Sequence, residues 1–502
     1  MKKKQRKVVL FGAMLAMVIG VLGIYPLHTQ ARTGVKFIQL NMTKKAMYVN
    51  QSMNLKVKRV TPSRASAAVI WSTSNKNVAT VTQNGTVTAK NVGTAKIKAV
   101  SKNNRNVKAQ CTITVTQNGA VKHSGSYKKV SWKIYENGLL DVKGSGSLAK
   151  DNYNCGWFAY RRDITSARLQ LKNTKNLSNV FSKFYFLKRV DLRDLDTSKV
   201  KNMQGMFKGC ISLEHIDVSK FDTSNVVNMT EMFSDCRSLK CIDVSKFDTS
   251  KVKNMQGMFY NCVSLETLDL SAWNTEQLKI MGSVEDETND YSCLGDGEFT
   301  EFYTYGMFSN CKSLKEINLS NFNTSNVTRM GYLFNGCRNL KKIDLSSFDT
   351  ANVHSMSGMF KGCKNLQAID VSKFNTSNVY RMNYMFFNCE KLKEINISNF
   401  NTKKVYGVEG MFYGCKEIKI LDLSNLDFSN VRVQDYGECN LIDGCKNLQT
   451  VLTPQATCGS KINFTSEYYW VDAQGKEYVT FPQKATESVT LNRGREQKKK
   501  GV

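Results

Sequence analysis

From Asp196 to Phe221 the chain reads "DTSKVKNMQGMFKGCISLEHIDVSKF". Val200, Met203, Met206 and Phe207 fall at i, i+3, i+6 and i+7, the spacing of one face of a short helix. The pattern predicts such a helix, capped by Thr197 or Ser198 through a backbone amide and ended by Gly209, which can take a left-handed conformation. Leu213, Ile216 and Val218 are then placed for burial. Ile216 and Val218 alternate with Asp217 as on a strand, so Asp217 points outward. Phe221 closes the unit against the next. One strand and one short helix cannot cover their own apolar face, so stacking of units is expected.

The unit recurs. Its cysteine falls at Cys210, Cys236, Cys262, Cys311, Cys337, Cys363, Cys389, Cys415 and Cys445. Most spacings are 26 residues, one is 49 (26 plus an insert of 23), and the last is 30. Phe184 holds the same register before Cys210, which gives about ten coils. No proline lies between Ser63 and Thr453, as regular hydrogen-bonded structure requires. Stacked coils would set one thiol above the next at about 4.8 Å. That distance is within disulfide range, but parallel side chains meet the required dihedral poorly. Cysteine is also small, apolar and readily buried. The nine therefore read as a reduced packing ladder, and a disulfide framework is the alternative. The total of 15 cysteines is odd. Histidines are scattered at His123, His215 and His354 beyond the N-terminal segment, and no close Cys-x-x-Cys pair occurs, so no metal and no cofactor is expected.

Upstream, the period changes. "VATV", "GTVTA" and "TAKIKAV" alternate apolar and polar residues, and "QNG" at Gln83 to Gly85 is a hairpin signal. Short strands at this spacing predict a β-sandwich. The stretch "WSTSNKNVATVTQNGTVTAKNVGTAKIKA" resembles the bacterial Ig-like domain, group 2, with Trp71, Ser74, Asn75, Val78, Gly85, Val87, Gly93 and Ile97 in that pattern. The repeat "MFxxCxxLxxIDVSxFDTSxVxxM" resembles the BspA-like leucine-rich repeats of bacterial surface proteins. The expected chain is multidomain: an Ig-like β-sandwich followed by a right-handed α/β leucine-rich-repeat solenoid of about ten 26-residue coils. Its expected segments are a signal peptide at 1–31, the Ig-like domain at 34–117, and a linker with a β-rich N-terminal cap at 118–177. The repeats come next at 178–453 with an acidic insert at 281–303, then a C-terminal cap at 454–492 and a basic tail at 493–502.

Charge and the N-terminus bear on location. Five basic residues precede an apolar run from Val8 to about Ile24, followed by small or polar residues to Ala31. This is the layout of a secretory signal; an uncleaved anchor is the alternative, against which the run is short for a spanning helix. The net charge is +29, or +29 − 5 = +24 once those five residues leave. Such an excess suits polyanionic surfaces, wall polyanions among them, or serves solubility alone. No transmembrane helix is expected in the mature chain, which is read as secreted to the cell surface or beyond, with no nucleic-acid partner.

Catalysis lacks its parts. No Ser-His-Asp arrangement, Walker loop or dinucleotide fingerprint stands out. The outward row Asp217, Asp243, Asp269, Asn318, Asp344, Asp370 and Asn396 is a ladder of near-equals, whereas acid–base work needs two differently tuned carboxylates at one place. An enzyme is not expected. The outward face of the repeats is the candidate binding surface, with that row at its centre. The insert adds Glu285, Asp286, Glu287, Asp290 and Tyr291, an acidic and aromatic stretch that could meet a cation or a basic patch, or be a tolerated insertion. The resemblance implies an adhesin that recognises a host matrix protein of the fibronectin type, another cell or a glycan. The alternative is a structural cell-envelope protein held on wall polyanions by its positive charge.

Overall fold

The computed structural model describes residues 34–146, 148, 155–283, 305–432, 439–457, 462–463, 468–482 and 487–496. It divides into two compact units, 1–117 and 118–502.

The first unit is all β. Strands β2 (Lys44–Tyr48), β5 (Val69–Thr73), β8 (Gly93–Ser101) and β9 (Lys108–Thr116) form a sheet in the order β2-β9-β8-β5. Strands β3 (Ser52–Asn54), β6 (Ala79–Val81) and β7 (Thr86–Ala89) form a second, and β1 (Phe37–Leu40) pairs with β4 (Val57–Thr61). Alternation along β8 buries Ala95, Ile97 and Ala99 and exposes the lysines between them. Trp71, Val87, Cys111 and Ile113 complete the core. Gly85 (φ +83°) sits at the hairpin joining β6 to β7; a Cβ there would run into the Leu55 carbonyl.

The second unit opens with a five-stranded sheet, β10 (Val121–Tyr127), β11 (Val130–Tyr135), β12 (Leu139–Ser145), β13 (Ser166–Lys172) and β14 (Arg189–Asp191), in that order. The first three pair antiparallel; β12, β13 and β14 pair parallel, so the sheet passes from hairpins into the repeat register.

From there, successive units stack. Parallel bridges run Asn176↔Asn202↔Asn228↔Asn254↔Ile280↔Arg329↔Ser355↔Arg381↔Gly407. One residue earlier, each backbone amide reaches the preceding unit: Lys201 N to Lys175 O (2.9 Å), and so on through Tyr380 N to His354 O (2.9 Å) and Arg432 N to Tyr406 O (2.9 Å). On the other side lie short strands β15 (Thr267–Asp269), β16 (Glu316–Asn318) and β17 (Ile420–Asp422), with β15 parallel to β16. Phenylalanines fill the interior in columns: Phe207, Phe233, Phe259, Phe308, Phe334, Phe360, Phe386 and Phe412 stack at 5.4–6.1 Å between ring centroids. A second column runs Phe221, Phe247, Trp273, Phe322 and Phe348. At the far end, Thr450–Leu452 pairs parallel with β17, and Thr490–Glu496 pairs antiparallel with Thr450–Leu452, covering a ladder edge that would otherwise be open.

The expected α/β character is corrected. Among the described residues there is no α-helix; the only helical element is the 3-10 turn Gly156–Tyr160. Where Val200 to Cys210 predicted a helix, the chain makes a turn with alternating donors. Met206, Lys208 and Cys210 donate their amides three residues back, while Met203, Gly205, Phe207 and Gly209 donate to the next unit, at Asn228, Thr230, Met232 and Ser234. Two residues per turn hold positive φ, Gly205 (+57°) and Gly209 (+75°), and their equivalents include Glu231 (+54°), Asp235 (+58°) and Asn261 (+58°). A left-handed residue every fourth position rules out a right-handed helix. The apolar residues are buried as the spacing required, with Val200, Met203, Met206 and Phe207 fully inside. The cap reading is also corrected. Thr197 is buried, and its hydroxyl accepts from the Asp222 amide of the next unit (2.8 Å).

Candidate functional site

Asp269 and Asn318 of the Asp/Asn row end β15 and β16, but the strand expected around Asp217 is not formed, nor is one at Asp243, Asp344, Asp370 or Asn396, where the chain runs without strand pairing. Asp217, Asp243 and Asp370 are exposed, and each accepts the amide of the serine two residues on: Ser219 (3.0 Å), Ser245 (3.0 Å) and Ser372 (2.9 Å). Asp269 and Asp344 do the same with Ser271 (3.0 Å) and Ser346 (2.9 Å). Asn318 and Asn396 replace aspartate in the row and keep the bond, to Ser320 (3.2 Å) and Ser398 (3.1 Å). An oxygen acceptor, not a charge, is what the turn uses. In the aspartates these serine bonds hold the carboxyls below their ordinary range; the side-chain bond leads for Asp217, Asp243 and Asp370, the backbone bond for Asp269 and Asp344.

The row and its neighbours form an open groove of about 620 Å³ where β15, β16 and the next unit meet, lined by Asp269, Lys315, Glu316, Asn318, Lys342 and Asp344 among others. Lys315 is paired across units with Glu266 (2.7 Å). The groove is charged, with both signs interspersed. Among the described residues no group of His, Cys, Asp and Glu could hold a metal ion. Glu285, Asp286, Glu287, Asp290 and Tyr291 lie outside the described residues.

The edges of that insert are described, and they shift its boundary. Met281 is fully buried, and the Met281 and Gly282 amides donate to Arg329 O, so the chain is still in register at Met281. Stacking resumes by Tyr305, whose hydroxyl donates to Glu231; Glu231 also accepts from Lys208 Nζ (2.6 Å), and the Tyr305 ring lies against Tyr260.

The nine repeat cysteines are buried thiols, none in a disulfide. Each donates to the carbonyl of a phenylalanine in the preceding unit: Cys210 to Phe181 (3.2 Å), Cys236 to Phe207 (3.3 Å), Cys262 to Phe233 (3.1 Å), and so on to Cys445 and Phe412 (3.1 Å). Burial pushes all nine up, Cys311, Cys363 and Cys445 to about 12. Cys241, on the strand side, is exposed.

A second edge, away from the residues that line the groove, carries a feature that sequence reasoning passed over. The residue after the buried valine of each unit (Thr174 and Leu278 in two of them) is exposed, or half-buried at Thr328 and Tyr406. Down the stack this position reads Lys175, Lys201, Val227, Lys253, Lys279, Thr328, His354, Tyr380, Tyr406 and Arg432. His354 stacks on Tyr380 (5.7 Å) and Tyr380 on Tyr406 (6.4 Å); Arg381 Nε donates to Tyr406 Oη (2.8 Å). The signal was present as the variable letter in "SxVxxM", but it becomes a surface only once the register is known.

Comparisons with known proteins agree with this division. Residues 34–113 match the bacterial Ig-like domain (group 2), and residues 175–292 and 303–425 match the family described as "Mycoplasma protein of unknown function, DUF285". The chain thus carries a group 2 Ig-like domain followed by repeats of that second family. An uncharacterized protein of Clostridium acetobutylicum is 40% identical over 81 residues, which is 16% of this chain and 8% of that protein's length. Among solved structures, a leucine-rich repeat protein from Eubacterium ventriosum aligns over 73% of this chain and 93% of its own at 13% identity, with a TM-score of 0.36. A leucine-rich cell surface protein from Faecalibacterium prausnitzii aligns over 66% and 95% at 16% identity, with a TM-score of 0.28. Structural likeness this distant does not bear on function.

Proposed function

We propose that the chain is a secreted cell-surface binding protein, in which an Ig-like spacer presents a solenoid of about ten coils to a macromolecular ligand. The ligand class is a host matrix protein, another cell or a glycan. The observation that carries this is the regular, outward groove over β15, β16 and the following unit, where exposed charges repeat in register. A surface of many similar shallow positions suits an extended ligand better than a small substrate. The Asp/Asn row supports the groove by fixing its turns, and its exposed flanks, such as Lys315, Glu316 and Lys342, are the groups that would meet the ligand. The basic N-terminal segment and apolar run support export.

The test is a binding screen of the full chain against immobilised matrix proteins, whole cells and a glycan array. Lys315→Ala/Lys342→Ala should weaken whichever interaction is found, with the melting temperature unchanged. Retention of full binding by that variant would move the site off the groove. A structural envelope role, with charge holding the protein on wall polyanions, is favoured by the +29 balance. Release of the protein from intact cells by salt alone, with no ligand in the screen, would select it.

A further inference from the structure

We propose that the edge of the stack formed by the residues flanking each buried valine is a track for an acidic polysaccharide, an extended sugar chain bearing carboxylates. The proposal shares the reading of the stack as a binding protein but assigns a second surface, so it can fail alone.

Three neighbouring positions of each unit make the edge. The residue on each side of the buried valine points outward, as alternation on an extended segment requires. Before the valine come Lys199, Lys251 and Lys404, with asparagine or glutamine in the other units, and after it come Lys175, Lys201, Lys253, Lys279, His354 and Arg432. The next residue contributes Arg329 and Arg381. From Asn173 to Arg432 none of these positions is aspartate or glutamate. Acidic side chains do lie further back: Asp196, Asp222 and Asp248 accept from Ser198, Ser224 and Ser250, Asp349 and Asp427 from the amides of Ala351 and Ser429, and Glu276 is exposed directly before Gln277. The backbone ladder from Lys175 to Arg432 fixes the spacing. Ten positions at about 4.8 Å per step give a track of about 43 Å, with a cation every one or two steps along its first half.

Its two halves differ, and the difference chooses the ligand. The first is lysine-rich. The second offers His354, Tyr380 and Tyr406, with Arg381 and Arg432 among them, while Asn352 and Asn378 turn their amides back onto Ser325 O (2.7 Å) and Ala351 O (2.9 Å). Arg432 and Arg381 both lie over the Tyr406 ring, at 5.7 and 5.2 Å from its centroid. A polymer whose only polar groups are phosphates would use cations throughout. Phenols and cations together suit a chain that alternates hydroxyls with carboxylates. Unpaired bases need open aromatic faces to stack on. Here His354, Tyr380 and Tyr406 cover one another's faces, which disfavours a single-stranded nucleic acid.

The experiment measures fluorescence anisotropy of labelled hyaluronan fragments with the full chain, over a salt series. Single-stranded DNA, inorganic polyphosphate and neutral dextran are comparison probes. The parent should bind hyaluronan, with affinity falling as salt rises. Lys201→Glu/Lys253→Glu/Lys279→Glu, all exposed positions, should weaken binding at least about tenfold and flatten the salt dependence. Tyr380→Ala/Tyr406→Ala should weaken it too, whereas Lys315→Glu/Lys342→Glu on the groove should stay within about twofold. Circular dichroism and melting confirm that each variant is folded. The proposal is overturned if the parent ignores hyaluronan, if the edge variant binds like the parent, or if the groove variant loses as much. It is equally overturned if polyphosphate or DNA binds as tightly as hyaluronan and the tyrosine variant is silent, because the edge would then be an unselective cationic surface.

Discussion

A cysteine in each repeat serves two needs at once. The turn that ends at Cys210 leaves a buried phenylalanine carbonyl of the preceding unit within reach, and the thiol is small enough to fill the space and polar enough to donate to it. Serine would donate better but costs more to bury; alanine would not donate. The same burial sets a pH limit. The nine thiols are shifted upward by desolvation, so the folded chain keeps protons that the unfolded chain loses above about pH 8.5. Stability from this source is complete below that unfolded value and is lost as pH rises toward the folded values. Each protonated thiol steepens the loss by roughly 1.4 kcal/mol per pH unit. Loss of stability should therefore begin at about pH 8.5, the unfolded thiol value, and be steep above it. Replacing Cys236 and Cys262 by valine should make the transition shallower; an unchanged slope would mean the thiols are not what titrates. At neutral pH, a maleimide followed by peptide mapping should mark the exposed Cys241 and spare the nine ladder positions.

At the scale of the element, sequence and structure part company over one turn. The spacing Val200, Met203, Met206, Phe207 told which residues are inside, and all four are. It could not tell helix from turn, because both set those residues on one face. The deciding information lay in Gly205 and Gly209 and in their replacements by Glu231, Asp235 and Asn261, residue types that do not announce a left-handed backbone. The 26-residue register, by contrast, was legible from a single letter, and the parallel bridges from Asn176 to Gly407 follow it through the 49-residue gap. The Ig-like unit was legible because strand alternation and the "QNG" hairpin are local signals. The cationic and aromatic edge was not, because its residues are 26 apart and become neighbours only through stacking. The turn makes a prediction that a helix would reverse. Gly205→Ala in a helix interior would stabilise; here, at φ +57° and with the new Cβ running into the Asn179 side-chain oxygen, it should cost about 1–3 kcal/mol in urea unfolding. A gain in stability would restore the helical reading.

For the whole repeat unit, the question is how a stack tolerates an extra 23 residues. The interior columns cross the gap without a break: Phe259 stacks on Phe308 at 6.1 Å, and the Cys311 thiol donates to Phe259 O at 3.1 Å. On the cationic edge, Thr328 N donates to Lys279 O at 3.0 Å. Residues on both sides of the insert thus make the contacts that neighbours make elsewhere. Removing 282–304, 23 residues, leaves 49 − 23 = 26 between Cys262 and Cys311 and joins Met281 to Tyr305. Tyr305 should then keep its bond to Glu231 and its place on Tyr260, and what the deletion removes among the described contacts is the Gly282 bond to Arg329 O and the pairing of buried Ser283 with Gly331 (3.0 Å). Changing the length of a loop whose ends are already held alters its closure entropy only slowly, by about 0.6 kcal/mol per doubling. The deletion variant should therefore fold, with the far-UV spectrum of the parent and a melting temperature within a few degrees of it. Its binding then locates the function. Hyaluronan affinity should be unchanged, since the edge lies outside the deleted residues, while loss of the screened ligand would place recognition in the acidic segment of Glu285 to Tyr291. A variant that fails to fold would show that the segment is an integral part of the stack, and that the chain does not simply leave its register after Met281 and re-enter it at Tyr305.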